Sequence, residues 1–223
     1  PEAYKVQFEI EDALSDIDLL TELNDPEHQG PVVSFYDAPY DESSPVTKRM
    51  KIFVDRPLLL SRILPVLQDL GLDVVDERPF GLSPDGLGER YIYDMGLQVD
   101  PEIDFSAIES KLADAYSAVV RSAAESDKLN ALVLREGLTW QEVAMLRAYA
   151  HYLLQLGVSN STGFIASTLV NNAAVTHGIV ALFQATFDPS LSAEASTSAR
   201  EQAHAQITEA LENVPTLDAD TLL

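Results

Sequence analysis

The sequence predicts an α+β protein: a small ferredoxin-like sheet-and-helix domain followed by an all-helical segment. Three observations carry this. Residues 54–80, VDRPLLLSRILPVLQDLGLDVVDERPF, read as strand end, tight turn, helix, glycine stop and second strand. Stretches with period-two apolar patterning lie on either side of that unit. Beyond residue 101 the apolar residues recur at helical spacing.

Taken in order, Ala13, Ile17, Leu20 and Leu23 are spaced for one helix face, with Asp12 as candidate cap and Asn24-Asp25-Pro26 as the stop. VVSFY (32–36) predicts a strand, and a Pro- and Ser-rich loop (38–46) follows. Met50, Ile52 and Val54 alternate with Lys51, Phe53 and Asp55, which predicts a half-buried strand over 48–54. The next helix starts either at Asp55, with Pro57 in its first turn, or at Ser61, with Pro65 in its first turn. The second start is preferred because it keeps Pro65 out of the interior. Ile63, Leu67 and Leu70 face the sheet, and Gly71 ends the helix. Residues 72–78 form a strand, GLSPDGLG (81–88) a loop, and Tyr91, Tyr93, Met95, Leu97 and Val99 the apolar face of a last strand, with Arg90, Asp94 and Gln98 opposite.

Asp104 or Ser106 caps the first helix of the second half, whose face is Ile108, Leu112, Ala115 and Val119. A short helix over 129–134 stops at Gly137. Thr139 with Glu142 reads as a capping box for a helix to Gly157 that is apolar except for a stripe of Arg147, His151 and Gln155. Helices are also expected over 161–172, 174–187 and 191–213, the last packing on one side only. The expected organisation is a leading helical segment (1–30), an α+β domain (31–122) and a helical bundle (123–223). The chain opens on PEAY and closes on DADTLL, which predicts a piece of a longer polypeptide.

Composition narrows the function classes. With 223 residues and 46% apolar content, the chain can bury a substantial core. It has no cysteine, so disulfides and thiolate metal sites are excluded. Fourteen basic against thirty-six acidic residues give a net charge of −22, a surface that repels nucleic acid and anionic lipid. No apolar run reaches membrane-spanning length and no signal peptide opens the chain. A cytoplasmic location is expected.

Candidate chemistry is sparse. Gly86-x-Gly88 lacks a third glycine, since Tyr91 stands in its place, and it precedes a strand rather than following one, so it reads as a loop. His28, His151, His177 and His204 have no metal-ligand spacing, so no metal is expected. Asp73, Asp76 and Glu77 crowd one strand beside Arg78, and the surface reading outweighs acid–base work. No serine sits in G-x-S-x-G. Trp140 reads as core, and the Tyr91/Tyr93 face as sheet packing.

Asp55-Arg56-Pro57, a run of leucines and then Leu67-x-x-Leu70-Gly71-Leu72-Asp73-Val74 resemble an ACT domain, the amino-acid-sensing module of metabolic enzymes. The resemblance makes the turn Asp55, Arg56 and Leu58 the candidate effector or interface site. Leu58 stands where that family usually has glycine, adding bulk where a ligand would approach the main chain. A wider resemblance joins 64–80, YIYDMGL (91–97), LNALVLREGLTWQEVAMLRAYAHYLLQLG (129–157) and LFQATFDP (182–189) to the large bacterial NAD-specific glutamate dehydrogenases. It implies a non-catalytic N-terminal region with ACT-like modules and helical motifs. NAD belongs to the parent enzyme, with no cofactor in this segment. The implied partners are the protein's own catalytic domain, other copies of the chain and an amino-acid effector. No catalytic residue carries over. The alternative is a free-standing ACT-type sensor.

Overall fold

The computed structural model describes residues 1–25, 27–83 and 88–223. They form two compact units, Pro1–Trp140 and Gln141–Leu223.

The first unit is built on an antiparallel sheet of β1 (Val32–Asp37), β2 (Lys48–Val54), β3 (Asp73–Leu82) and β4 (Arg90–Gln98), in the order β1-β2-β4-β3. Since β4 lies between β2 and β3 and is antiparallel to both, β2 and β3 run parallel to each other. Helix α3 (Leu60–Asp69) makes the crossover, giving the split β-α-β unit predicted from residues 54–80. The edge place beside β2 is taken by β1, which arrives from the N-terminal side through an antiparallel pairing of Val32 with Phe53 through Asp37 with Lys48. The sheet is therefore closed on that side before α4 (Glu109–Val120) begins, and the chain runs on from α4 into helix α5 (Ala131–Glu136).

Both faces of the sheet are covered. Helices α1 (Glu2–Gln7) and α2 (Ile10–Glu22) lie on one, where Tyr4, Leu20, Val32, Phe53, Phe80 and Ile92 form a core cluster joined by Phe8, Ala13 and Leu23. Phe80 meets the Tyr4 ring edge-on at 5.5 Å. On the other face, Met50, Ile52, Met95 and Leu97 are fully buried, and α3 and α4 pack against the strands. There Phe105 meets Phe35 at 5.1 Å. The sequence reading of β2 as half-buried is thus corrected: its solvent side is occupied by α1 and α2.

Helix ends depart from expectation in instructive ways. In α2 the N-cap is Glu9, and Asp12 is the third helical residue, reaching back to the Glu9 N–H at 3.3 Å in a reciprocal capping box. Helix α3 starts at Leu60, one residue before the preferred Ser61 start, with Leu59 as N-cap and no side-chain cap, so Asp55 does not cap it. Pro65 falls in the second turn, where the Ser61 carbonyl loses its i+4 donor. Gly71 closes the helix, with the Leu72 N–H on the Leu67 carbonyl at 2.9 Å. Strand β3 runs on to Leu82, into residues expected to be loop, with an irregularity between Val74 and Asp76. Helix α4 is capped by neither Asp104 nor Ser106; a 3-10 turn over Phe105–Ala107 precedes it and Ile108 is its N-cap.

The second unit comprises α6 (Trp140–Gln155), α7 (Thr162–Asn171), α8 (Ala173–Phe187), α9 (Ala193–Leu211) and a short α10 (Leu217–Leu222) that sequence periodicity did not predict. Val143, Leu146 and Ala150 of α6 are buried, but so is Arg147, which the expected polar stripe had placed outside. Tyr149, Tyr152 and Leu156 remain exposed at 44%, 56% and 63%, so α6 is less enclosed than its composition suggested. Ser161 caps α7 through the Phe164 N–H at 3.1 Å. Helices α8 and α9 touch where Gly178 leaves room: a Cβ there would lie 2.5 Å from Ile207 Cγ1. Among residues of α9 only Ala203 is buried, in line with one-sided packing. No single described helix is long and apolar enough to cross a membrane.

Burial separates two neighbouring leucines of α3. Leu67 is fully buried while Leu64 is only partly so. Leu67→Asp, which sinks an unpaired carboxylate, is expected to abolish the folded state of the first unit, and Leu64→Asp to leave it folded but weakened. Urea unfolding followed by circular dichroism tests this; equal losses would contradict the observed helix placement.

Candidate functional site

The polar residues that the structure draws together lie on the α1–α2 face of the sheet. Strand alternation and register place Tyr36, Arg49, Lys51, Asp76, Asp94 and Gly96 on the face that also carries Phe53 and Ile92. In β2, Arg49 and Lys51 are buried, and in β4 Asp94 is fully enclosed. Burying such charges is tolerable only with partners.

Each has partners. Arg49 Nε donates to both oxygens of Asp94 at 2.9 Å, and its Nη2 donates to Asp76 Oδ1 at 2.8 Å and to the Asp94 carbonyl at 3.1 Å. Tyr36 Oη donates to Asp94 Oδ1 at 2.9 Å. Lys51 Nζ donates to Asp16 Oδ1 and Oδ2 at 2.9 and 2.7 Å, and Tyr4 Oη donates to the same carboxylate. The Lys51 ammonium also stands 3.9 Å from the centre of the Phe8 ring. So Asp16 of α2 and Phe8, which follows α1, hold Lys51 of the sheet by a buried ion pair and a cation–π contact, and the Tyr4 phenol ties α1 to α2 through the same carboxylate. Gly96 completes the arrangement. A Cβ there would lie 2.9 Å from Asp76 Cγ and 3.0 Å from an Arg49 terminal nitrogen, so only glycine lets the pair cross above β4.

The electrostatics follow the packing. Burial works against the Arg49 charge, but the hydrogen bonds to Asp76 and Asp94 outweigh it and raise the guanidinium above its ordinary value. The Arg49 hydrogen bond holds the Asp76 carboxyl below the usual range, against the upward push of burial. Burial first, and then the neighbouring carboxylates Asp16 and Asp94 respectively, push the Tyr4 and Tyr36 phenols well up. Arg49 therefore stays charged, and the Tyr4 and Tyr36 phenols stay neutral and donating, across the neutral range.

The sequence-predicted turn has another character. Asp55 and Arg56 form a 3.6 Å ion pair with side chains 60% and 83% exposed. The backbone of Leu58 is held by Tyr93, whose hydroxyl accepts from the Leu58 N–H at 2.8 Å and donates to the Leu58 carbonyl at 3.2 Å. The Tyr93 phenol therefore occupies the main-chain groups that a ligand at this turn would use. Of the crowded acids, Asp76 belongs to the network, Asp73 is exposed and Glu77 is partly buried with its carboxyl pushed up by that burial. The expectation that these acids are simply solvated is corrected for Asp76. His28 contacts the Gly30 carbonyl at 3.1 Å, and His151, His177 and His204 are exposed. Among the described residues no three His, Asp or Glu are gathered as a metal site. Gly86-x-Gly88 lies partly outside the described residues.

Sequence reasoning missed Arg49, Asp94, Lys51, Asp16 and Tyr36. The available signal was two basic residues either side of Met50 on one strand and a lone aspartate on the cleanest apolar strand. Neither points to a pair without the strand order that sets β4 beside β2.

Two outcomes test this geometry. Gly96→Ala forces the Arg49–Asp76 pair apart and should cost on the order of 1–3 kcal/mol, the range for overpacked sites; chemical denaturation with no loss would contradict the close approach. The second concerns pH. Tyr4 and Tyr36 bind their protons more tightly folded than unfolded, so their contribution is complete below about pH 10, the ordinary tyrosine value, and is lost as pH rises above it. Tyr36→Phe should flatten that alkaline decline in melting temperature; an unchanged pH profile would contradict the assignment.

Comparison with known proteins matches this architecture. Residues 31–110 match the family model described as glutamate dehydrogenase, ACT3 domain, and residues 124–189 that described as glutamate dehydrogenase, helical motif 3. Over its whole length the chain is similar to proteins named NAD-specific glutamate dehydrogenase: 36% identical to that of Mycobacterium tuberculosis strain H37Rv, 31% to that of Halomonas elongata and 32% to that of Pseudomonas aeruginosa strain PAO1. It spans 14% of the length of each. The chain thus carries, in order, a match to the ACT3 domain and a match to helical motif 3 of glutamate dehydrogenases, and along its whole length it is similar to one part of the NAD-specific enzymes.

Proposed function

We propose that this chain is a non-catalytic assembly and regulatory segment of a glutamate dehydrogenase that oxidises L-glutamate with NAD and water to 2-oxoglutarate, ammonium and NADH. NAD and the catalytic groups belong to another part of that enzyme, in the cytoplasm. The observation that carries this reading is the destination of the buried charges. Arg49 pairs with Asp94 and joins β2 to β4, and Lys51 pairs with Asp16 and joins α2 to the sheet. Such a network specifies one arrangement of α1, α2 and the strands.

The same reading assigns residues 31–122 to the ACT-like unit and 123–223 to a helical linker, with 1–30 as its cover. The turn at Asp55, Arg56 and Leu58 acts as a contact surface rather than an effector pocket, a role supported by Tyr93 sitting on the Leu58 main chain. Assembly with another copy or with the enzyme's own catalytic region uses the outward stripe of α2, where Ile10, Leu14 and Ile17 are 75%, 60% and 51% exposed at successive turns. The outer edge of β3 is a poorer surface, since Pro79 and the irregularity at Val74 and Asp76 interrupt it.

The purified chain, mixed with L-glutamate and NAD, is expected to give no absorbance change at 340 nm; steady turnover would defeat the non-catalytic reading. Leu14→Glu is expected to weaken self-association in analytical ultracentrifugation while melting stays within a few degrees. A free-standing sensor is favoured instead if a common amino acid gives micromolar calorimetric binding that Asp55→Ala removes.

A further inference from the structure

Helices α6, α8 and α9 of the second unit border a groove of about 400 Å³. Its wall is aromatic and aliphatic: Tyr149 from α6, and Ile179, Phe183 and Phe187 from α8. The rings form a continuous surface, Tyr149 meeting Phe183 edge-on at 6.3 Å and Phe183 meeting Phe187 at 4.8 Å. Tyr149 and Phe187 keep 44% and 63% of their surface exposed, so the wall faces the groove and solvent rather than a filled core.

The opposite side carries a guanidinium. Arg200 and His204, one turn apart on α9, line the groove. Residues 141–223 contain eight Asp and Glu but only two Lys or Arg, Arg147 and Arg200. Arg147 is buried. Arg200 is exposed, and its described hydrogen bond is a 3.4 Å contact with Thr197 Oγ1 in its own helix. No described carboxylate lies within ion-pair distance of it. In a unit this acidic, a guanidinium facing an aromatic wall without a carboxylate is a site for an anion from outside.

We propose that this groove binds a small amphipathic monocarboxylate, with one aromatic ring or short alkyl body against Tyr149, Phe183 and Phe187 and its carboxylate on Arg200. The volume suits a molecule of that size. The chemistry selects the class. An uncharged apolar molecule gains nothing from Arg200, and a polyanion meets one guanidinium amid a surface of net charge −22. A cation is repelled by Arg200 and finds no acid in the lining. The hydroxyl of Thr186, which also lines the groove, is already donated to the Leu182 carbonyl at 2.7 Å. This inference stands apart from the proposed dehydrogenase role, because it is read by binding to this chain alone.

The test is calorimetry on the 223-residue chain with 4-phenylbutyrate and its uncharged amide, 4-phenylbutyramide. The carboxylate is expected to bind about tenfold more tightly than the amide, the increment of one charge-assisted hydrogen bond. Raised salt should narrow that gap, and Arg200→Gln should close it while leaving the amide's affinity unchanged. Thr186→Trp, which puts bulk into the groove from an exposed lining position, should weaken both. Circular dichroism checks that each variant is folded. Absence of carboxylate binding, equal binding of acid and amide, or a preference that survives Arg200→Gln would overturn the proposal. So would a concentration-dependent dimer abolished by Thr186→Trp, which would assign the groove to a second copy.

Discussion

The pairing of Arg49 with Asp94 is the constraint on which the first unit depends. Two central strands, β2 and β4, each carry a charge on a face that α1 and α2 cover. A buried guanidinium without a carboxylate, or the reverse, would cost several kcal/mol, so the strands must lie side by side in one register. A slip of one residue would turn Arg49 and Lys51 toward the opposite face, among Met50, Ile52 and Met95. The pair thus rejects wrong registers more than it adds net stability. Asp76 and Tyr36 take the remaining hydrogen-bonding capacity of the pair, and Gly96 supplies the space in which it lies.

Much of the fold was legible in the residues because local chemistry and tertiary packing agree there. The run from Asp55 to Phe80 states its own strand, helix and strand through apolar spacing and a terminating glycine, and the helical segments after residue 101 state themselves by period. What failed to show was non-local. Nothing in β2 says that its Lys51 side is covered, because the cover comes from Asp16, thirty-five residues away. Nothing in β3 announces that Gly81 and Leu82 continue to pair with β4. The expected caps Asp12 and Asp104 had the right residue type but the wrong position: Glu9 and Ile108 take those places, and Asp12 serves as the third residue of its helix.

The candidate site divides in the same way. Asp55, Arg56 and Leu58 were found through resemblance, and the structure gives that turn an exposed ion pair and a main chain already occupied by Tyr93. The charge network was invisible until strand order was known. Arg147 is a parallel case in the second unit: helical spacing put it on a polar stripe with His151, yet it is buried while Tyr149 and Tyr152 are exposed. Periodicity reports which residues share a face, and it does not report which face meets a neighbour.

The origin of β1 has a consequence for where this protein can be divided. The recognisable ACT segment starts at residue 31, but the physical body does not. Cutting there would keep β1 and strand order intact, yet it would remove the counter-ion of Lys51 and lay bare Phe53, Phe80 and Ile92. The inherited module and the packed body differ by the thirty residues before residue 31, which carry Asp16 and Leu20 into the core, and by a further thirty after residue 110.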